Sequence, residues 1–267
     1  MKQFQPRTLR RATRTAVAVA AAVALCVVVV AVAVAAPQRS VAQIRVLAAA
    51  SLTNVFPQID STPRFSFAGS DALASQIRLG APADVFASAN MSLPNALYAQ
   101  GLVEKPVVFT TNKLVLVVPK SNPAGIKTVF DLRQKGIKLL VGTPTVPVGA
   151  YTRTILKNLA LTSVLSNVVS QETDVRSLLS KIALNEADAG FVYITAAKTV
   201  ADKVNVITLP AWAQPPIRYG IAVIKTTQNR ADAVAFINKV LAKAGQAKLR
   251  AAGFGAVKNG VSTYAGG

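Results

Sequence analysis

The chain has 267 residues, with 30 Lys and Arg against 11 Asp and Glu, one cysteine and no histidine. Without histidine, His-based nucleophilic triads and the usual His/Cys zinc sites are excluded, and a lone Cys26 excludes an internal disulfide. Six of the basic residues fall in residues 1–42, so the remainder carries 24 against 11 acids, a net +13. These charges are spread without runs or interleaved aromatics. That argues against a nucleic-acid partner and fits either a solvated basic surface or the steering of small anions.

Lys2, Arg7, Arg10, Arg11 and Arg14 precede an apolar run over residues 16–36, interrupted in composition only by Cys26. A basic segment followed by an apolar one reads as a secretory signal over residues 1–42. Pro37 breaks the run, and Ser40-Val41-Ala42 offers a small-x-small cleavage site, with Ala33-Val34-Ala35 as an earlier one. Left uncleaved, residues 16–36 are long enough to anchor the chain in a membrane. Either way the remainder is exported, periplasmic or at the cell surface.

Beyond the leader, apolar runs alternate with helical patterns, as in βαβ units around mainly parallel sheets. Gln43–Ala49 is predicted as a strand and Ser51–Gln58 as a short helix. Phe65–Ala68 and Asp84–Ala87 follow as strands, with the helix Asp71–Leu79 between them. Pro94–Ala99 reads as a helix and Leu114–Val118 as a strongly apolar strand. A Thr128-capped helix runs through Arg133. Lys138–Val141 is a strand, Tyr151–Ala160 a helix, Val168–Ser170 extended, and Val175–Leu184 a helix. Ala189–Tyr193 is a strand, Ala196–Val200 a short helix, and Val204–Thr208 and Arg218–Ile224 are strands. The tail is helical over Arg230–Ala242 and Gly245–Ala252. No internal repeat is visible in the sequence.

Four handovers from strand to helix carry small or polar residues. Ser51 follows the first strand in AAASLTN, and Ser70 follows Gly69 in SFAGSD; both read as N-caps. In TVPVGAY, Pro147 and Gly149 shape a loop whose Val148, Gly149 and Ala150 amides open a helix. In QETDVRSLL, Thr173 or Asp174 caps a helix whose first amide is that of Val175. Such helix starts present unpaired N–H groups and a positive dipole end to anions. In doubly wound sheets, loops at the carboxyl ends of strands face one crevice. Four starts meeting there make a cage of neutral donors for a small dianion. Each residue also has a plainer reading: Ser51 and Ser70 as ordinary caps, Val148, Val175 and Tyr193 as core. Arg153 and Arg176 stand close behind two of the loops, as ligand contacts or as solvated cations.

The segments AAASLTNVF, SFAGSDALASQI, GAPADVFASAN, NKLVLVVP, VPVGAY, ADAGFVY, PIRYGIAV and the final GFG resemble, in order, the molybdate-binding receptors of ABC importers. The resemblance implies a type II periplasmic-binding fold: two doubly wound α/β lobes joined by a two-stranded hinge. Lobe 1 is then 43–112 with 225–267, and lobe 2 is 113–224. It also implies a monomeric receptor, not an enzyme and without a cofactor, that binds molybdate or tungstate and serves a membrane permease. The family's two serines fall on Ser51 and Ser70, its two amide positions on Val148 and Val175, and its tyrosine on Tyr193. Molybdenum would enter only as the oxyanion held by these five residues. Sulfate or another small anion, and a membrane-tethered anion sensor, are the competing readings.

Several positions depart from the family pattern. Asp71 stands where a neutral residue is usual, and its carboxylate would repel an anion unless turned away. The link Ile59–Arg64 is short, and Thr143 and Asn90 each replace a frequent Asp.

Overall fold

The structure, a computed structural model, describes Met1, residues 43–257 and residues 260–265. Apart from Met1, the leader expected over 1–42, with its apolar run 16–36, lies outside the described residues. Among those described, no helix is long and apolar enough to cross a membrane.

Two five-stranded mixed sheets form the frame. The first contains β1 (Arg45–Ala49), β2 (Arg64–Ala68), β3 (Val85–Ser88), β4 (Val107–Asn112) and β10 (Ile217–Val223), in the order β2-β1-β3-β10-β4. The second contains β5 (Leu114–Pro119), β6 (Leu139–Gly142), β7 (Val168–Glu172), β8 (Ala189–Tyr193) and β9 (Val204–Ile207), in the order β7-β6-β8-β5-β9. β1 runs parallel to β2 and β3, and β6 parallel to β7 and β8. In each sheet the fourth strand, β10 or β5, is antiparallel to both neighbours. The two lobes thus repeat one topology that the sequence does not reveal as a repeat. β1 corresponds to β6, β2 to β7 and β3 to β8.

The strands form where β-branched and aromatic residues run together. β5 is buried at every position, as a central strand covered on both faces must be. The helices, among them α1 (Phe56–Ile59), α2 (Ser70–Arg78), α3 (Ser92–Ala99), α4 (Pro147–Asn158) and α5 (Val175–Ala183), lay apolar faces on the sheets. In α2, Leu73, Ala74 and Ile77 are buried while Arg78 is exposed.

Three expectations need correction. β4 was not foreseen, because its polar residues Thr110 and Asn112 read as loop. Both are buried, and the strand is held by β10, with Ile217 opposite Asn112. β10 belongs to the first sheet, so the return crossing lies between Ile207 and Ile217 and the second lobe ends before 224. The segment Val129–Arg133 is a 3-10 turn, not an α-helix, although Thr128 caps it as foreseen, in a capping box closed by Asp131. The outward crossing is Lys113 alone, between β4 and β5, so two short crossings join the lobes.

Candidate functional site: a donor-lined cleft between the lobes

Corresponding loops of the two lobes meet at the carboxyl ends of β1, β2, β6, β7 and β8. Ser51, Ser70, Val148, Val175 and Tyr193 all line one small cavity there, of about 10 Å³. That is about the space one water needs, so the lobes stand closed and must part to admit a ligand.

The two serines sit differently from the expected caps. Ser51 lies inside a 3-10 turn, Ala50–Leu52, and makes no capping bond. Its Oγ lies 2.9 Å from the Tyr219 hydroxyl. Asn112 Nδ2 donates to that same phenol at 3.1 Å and to Thr195 Oγ1 at 3.0 Å. Either hydroxyl can be the donor of the Ser51–Tyr219 bond; with its oxygen accepting from Asn112, Tyr219 can give its own proton to Ser51 and leave the Ser51 proton for the cavity. Ser70 is the first residue of α2, and Gly69 is the N-cap. Ser70 Oγ accepts from the Ala89 amide at 3.0 Å, so its hydroxyl too is available as a donor. Ala89 follows β3 as Tyr193 ends β8. Both serines can therefore present protons to the cavity while their oxygens are engaged within the protein.

The second lobe supplies amides. Helix α4 runs over Pro147–Asn158 and starts earlier than predicted, since Pro at a first helical position needs no hydrogen-bond partner. Gly149 and Ala150 donate to the Val146 carbonyl, each at 3.0 Å. That removes two of the three amides expected at the site and leaves the first-turn amide of Val148. Gly149 is required there, because a β-carbon would collide with the carbonyls of Gly142 and Thr143. In α5 (Val175–Ala183), Asp174 is the N-cap and accepts from the Arg176 and Ser177 amides. The cap does not use the Val175 amide.

Tyr193 completes the lining. Its hydroxyl is buried with no hydrogen-bond partner among the described residues. Tyr219 lies beside it, ring centroids 5.8 Å apart, but spends its own hydroxyl on Ser51 and Asn112. Burial, reinforced by the neighbouring Tyr219 and Tyr151, pushes the Tyr193 pKa well above the ordinary phenol value. Burial likewise raises Tyr219, outweighing its bonds with Ser51 and Asn112, and takes Tyr151 up to about 12. These phenols are neutral donors at any physiological pH. An unpaired buried hydroxyl costs about 1–3 kcal/mol, and an anion in the cavity would relieve that cost.

Neither arginine joins the lining. Arg153 donates to the Gly142 and Gly149 carbonyls at 2.8 and 3.1 Å and to Gln171 at 3.1 Å, bracing the loop that holds Val148. Burial lowers its pKa. Arg176 faces a separate groove. Among the described residues no group of three or more His, Cys, Asp or Glu could hold a metal ion. Tyr219 and Asn112 were missed by sequence reasoning, and the polar end of β4 beside a strand-borne tyrosine was the signal available.

A two-lobed α/β fold closing on a cleft of hydrogen-bond donors is the architecture of a solute receptor. Residues 44–255 match the model of the bacterial extracellular solute-binding proteins, and the chain belongs to that family. It is 38% identical over 228 residues to the molybdate-binding protein ModA of Mycobacterium tuberculosis, covering 82% of this chain and 86% of that protein. With ModA of Haemophilus influenzae it shares 32% over 231 residues, 80% and 91% of the two chains. The Azotobacter vinelandii periplasmic molybdate-binding protein has the same fold, with a TM-score of 0.73 at 23% identity over 81% of this chain and 100% of that one. So does the sulfate-binding protein SubI of M. tuberculosis, at 0.70 and 19% over 81% and 88%.

Proposed function

We propose that this protein is an exported receptor that captures molybdate or tungstate and delivers it to the permease of an ABC importer. The observation that carries the reading is the polarity of the cage. Two hydroxyls engaged by Tyr219 and Ala89 are free to donate, two residues with first-turn amides line the same space, and a buried phenol lacks a partner. Such a set suits a fully ionised oxyanion. Bonds to a charged acceptor are worth about 1.5–3 kcal/mol each, and their sum holds a dianion without the Coulomb trap that paired cations would create. The relatives named as molybdate-binding proteins support the choice of metal oxyanion.

On this reading the protein performs no chemistry, needs no cofactor, and works as a monomer that the permease recognises in its closed form. It acts outside the cytoplasmic membrane, free or held by residues 16–36. Sulfate is the second reading, favoured by the tightness of the cavity, since it has the same shape and charge but is smaller. Thermal unfolding with molybdate, tungstate, sulfate and phosphate separates the two, because a selective ligand raises the melting temperature in proportion to ln(1 + [L]/Kd). A rise with molybdate and tungstate is expected; a rise with sulfate alone overturns the metal-oxyanion assignment.

A further inference from the structure

A groove of about 610 Å³ lies beside the cage, between the lobes. Ser51, Thr53 and Phe254 line it from the first lobe, and Arg176, Lys198 and Lys203 from the second. No Asp or Glu is among its lining residues. The ion pairs among the described residues join Lys181 to Glu172, Arg230 to Glu104 and Lys239 to Asp60, so the three cations of the groove have no carboxylate partner there. Lys198 reaches across to the first lobe, its Nζ 2.8 Å from where a β-carbon on Gly253 would stand. Gly253 has φ +96, a conformation that favours glycine. Ala50 and Ser51 line both the groove and the cage, so the two spaces adjoin at Ser51.

The other approaches to the cage are different in charge. Asp71 and Thr145 close one side with a hydrogen bond. A neighbouring cavity of about 520 Å³, which shares Arg176 with the groove, carries Glu172, Asp174 and Glu186 beside Arg176 and Lys181. Among the described residues, the groove combines cations, no acid in its lining, and a shared wall with the cage.

Resting on the oxyanion reading above, we propose that this groove is the encounter site of the dianion: Arg176, Lys198 and Lys203 collect it, and it passes over Ser51 into the cage as the lobes close. The three side chains are exposed. Exposed charges contribute little to a bound-state energy but raise association rates by about 10 to 1,000-fold when they line a cleft. Screening limits this to within about 8 Å in physiological salt, and the steering therefore acts at the groove, not across the whole basic surface. The groove sets the rate of capture, and the cage sets selectivity and residence.

The test is stopped-flow binding of molybdate to the full protein and to the triple variant Arg176→Gln, Lys198→Gln, Lys203→Gln, with Lys127→Gln, Lys135→Gln, Lys157→Gln as the control. The control removes equal charge from exposed sites on the same lobe that line neither space. At low ionic strength the groove variant should associate about tenfold more slowly, with its dissociation rate and the control's association rate within about twofold of the wild type, and high salt should abolish the difference. Equal slowing in both variants, or none in the groove variant, overturns the proposal. Failure of the wild type to bind any oxyanion in calorimetry instead overturns the functional reading on which it rests.

Discussion

Thr145 donates its hydroxyl to Asp71 Oδ2 at 2.6 Å, a bond that spans the cleft from the first turn of α2 to the loop before Pro147. The carboxylate that stood one residue from the anion site in the sequence does not line the cage; it clasps the opposite lobe. Beside it, Gly69 lies so close to the Thr173 carbonyl that any β-carbon would collide. The clasp and this close approach hold one flank of the closed form. Asp71 Oδ1 is buried without a partner.

Thr145→Val removes the donor and leaves the carboxylate facing an apolar side chain on closure. Oxyanion affinity should fall by about 0.5–1.5 kcal/mol, the net worth of one hydrogen bond, because the bond lies at the exposed edge of the cleft. Asp71→Asn keeps an acceptor for Thr145 and removes a negative charge near a dianion, so affinity should rise. Calorimetric titration of both variants checks this; equal effects in the same direction would contradict the clasp.

Ser51→Ala and Ser70→Ala should each weaken binding by at least about 1 kcal/mol, because a buried anion loses a donor. They should differ in stability. Ser70→Ala also strips the Ala89 amide of its acceptor, so its unfolding midpoint in denaturant should drop further than that of Ser51→Ala.

Tyr193→Phe should move stability and binding in opposite directions. The ligand-free protein gains by losing an unpaired buried hydroxyl, while the complex loses a donor. Melting temperatures with and without molybdate read both signs in one experiment. A variant less stable without ligand would contradict the unpaired hydroxyl.

Tyr219→Phe tests the relay behind Ser51. Its loss should cost affinity only through Ser51, so the double variant Ser51→Ala, Tyr219→Phe should bind about as well as Ser51→Ala alone, a non-additivity that a double-mutant cycle measures. Additive losses would show that Tyr219 acts by another route.

The phenols set the alkaline limit of binding. Their raised pKa values keep the neutral, donating form present at and above the ordinary phenol value of about 10. Affinity for a fully ionised oxyanion should therefore hold as pH rises from about 7 to about 9, and decline only as pH climbs through the raised values. A titration showing loss near neutrality would contradict donation by Tyr193.

Much of the frame could be read in the chain, for stated physical reasons. The apolar runs at Leu114–Val118 and Ala189–Tyr193 read as buried strands, and the small or polar residues after β1, β2, β6 and β7 marked the loops that face the cleft. What escaped was polarity turned inward. Thr110 and Asn112 look like loop residues, yet a strand carries them into the core because Asn112 bonds Tyr219 and Thr195. The roles of Ser51 and Ser70 as donors were hidden behind their capping propensity, since the partners that engage them, Tyr219 and Ala89, are distant in sequence. The orientation of Asp71 depended on Thr145, a residue of the other lobe, and no local pattern could supply it.

The most direct measurement is a crystal structure grown with tungstate, in which anomalous scattering locates the metal without assumption. The donor cage predicts one strong peak between Ser51 Oγ and Ser70 Oγ, with oxygens in hydrogen-bond reach of the Val148 and Val175 amides and the Tyr193 hydroxyl. A peak confined to the groove of Arg176, Lys198 and Lys203, or none between the lobes, would contradict capture by these five residues.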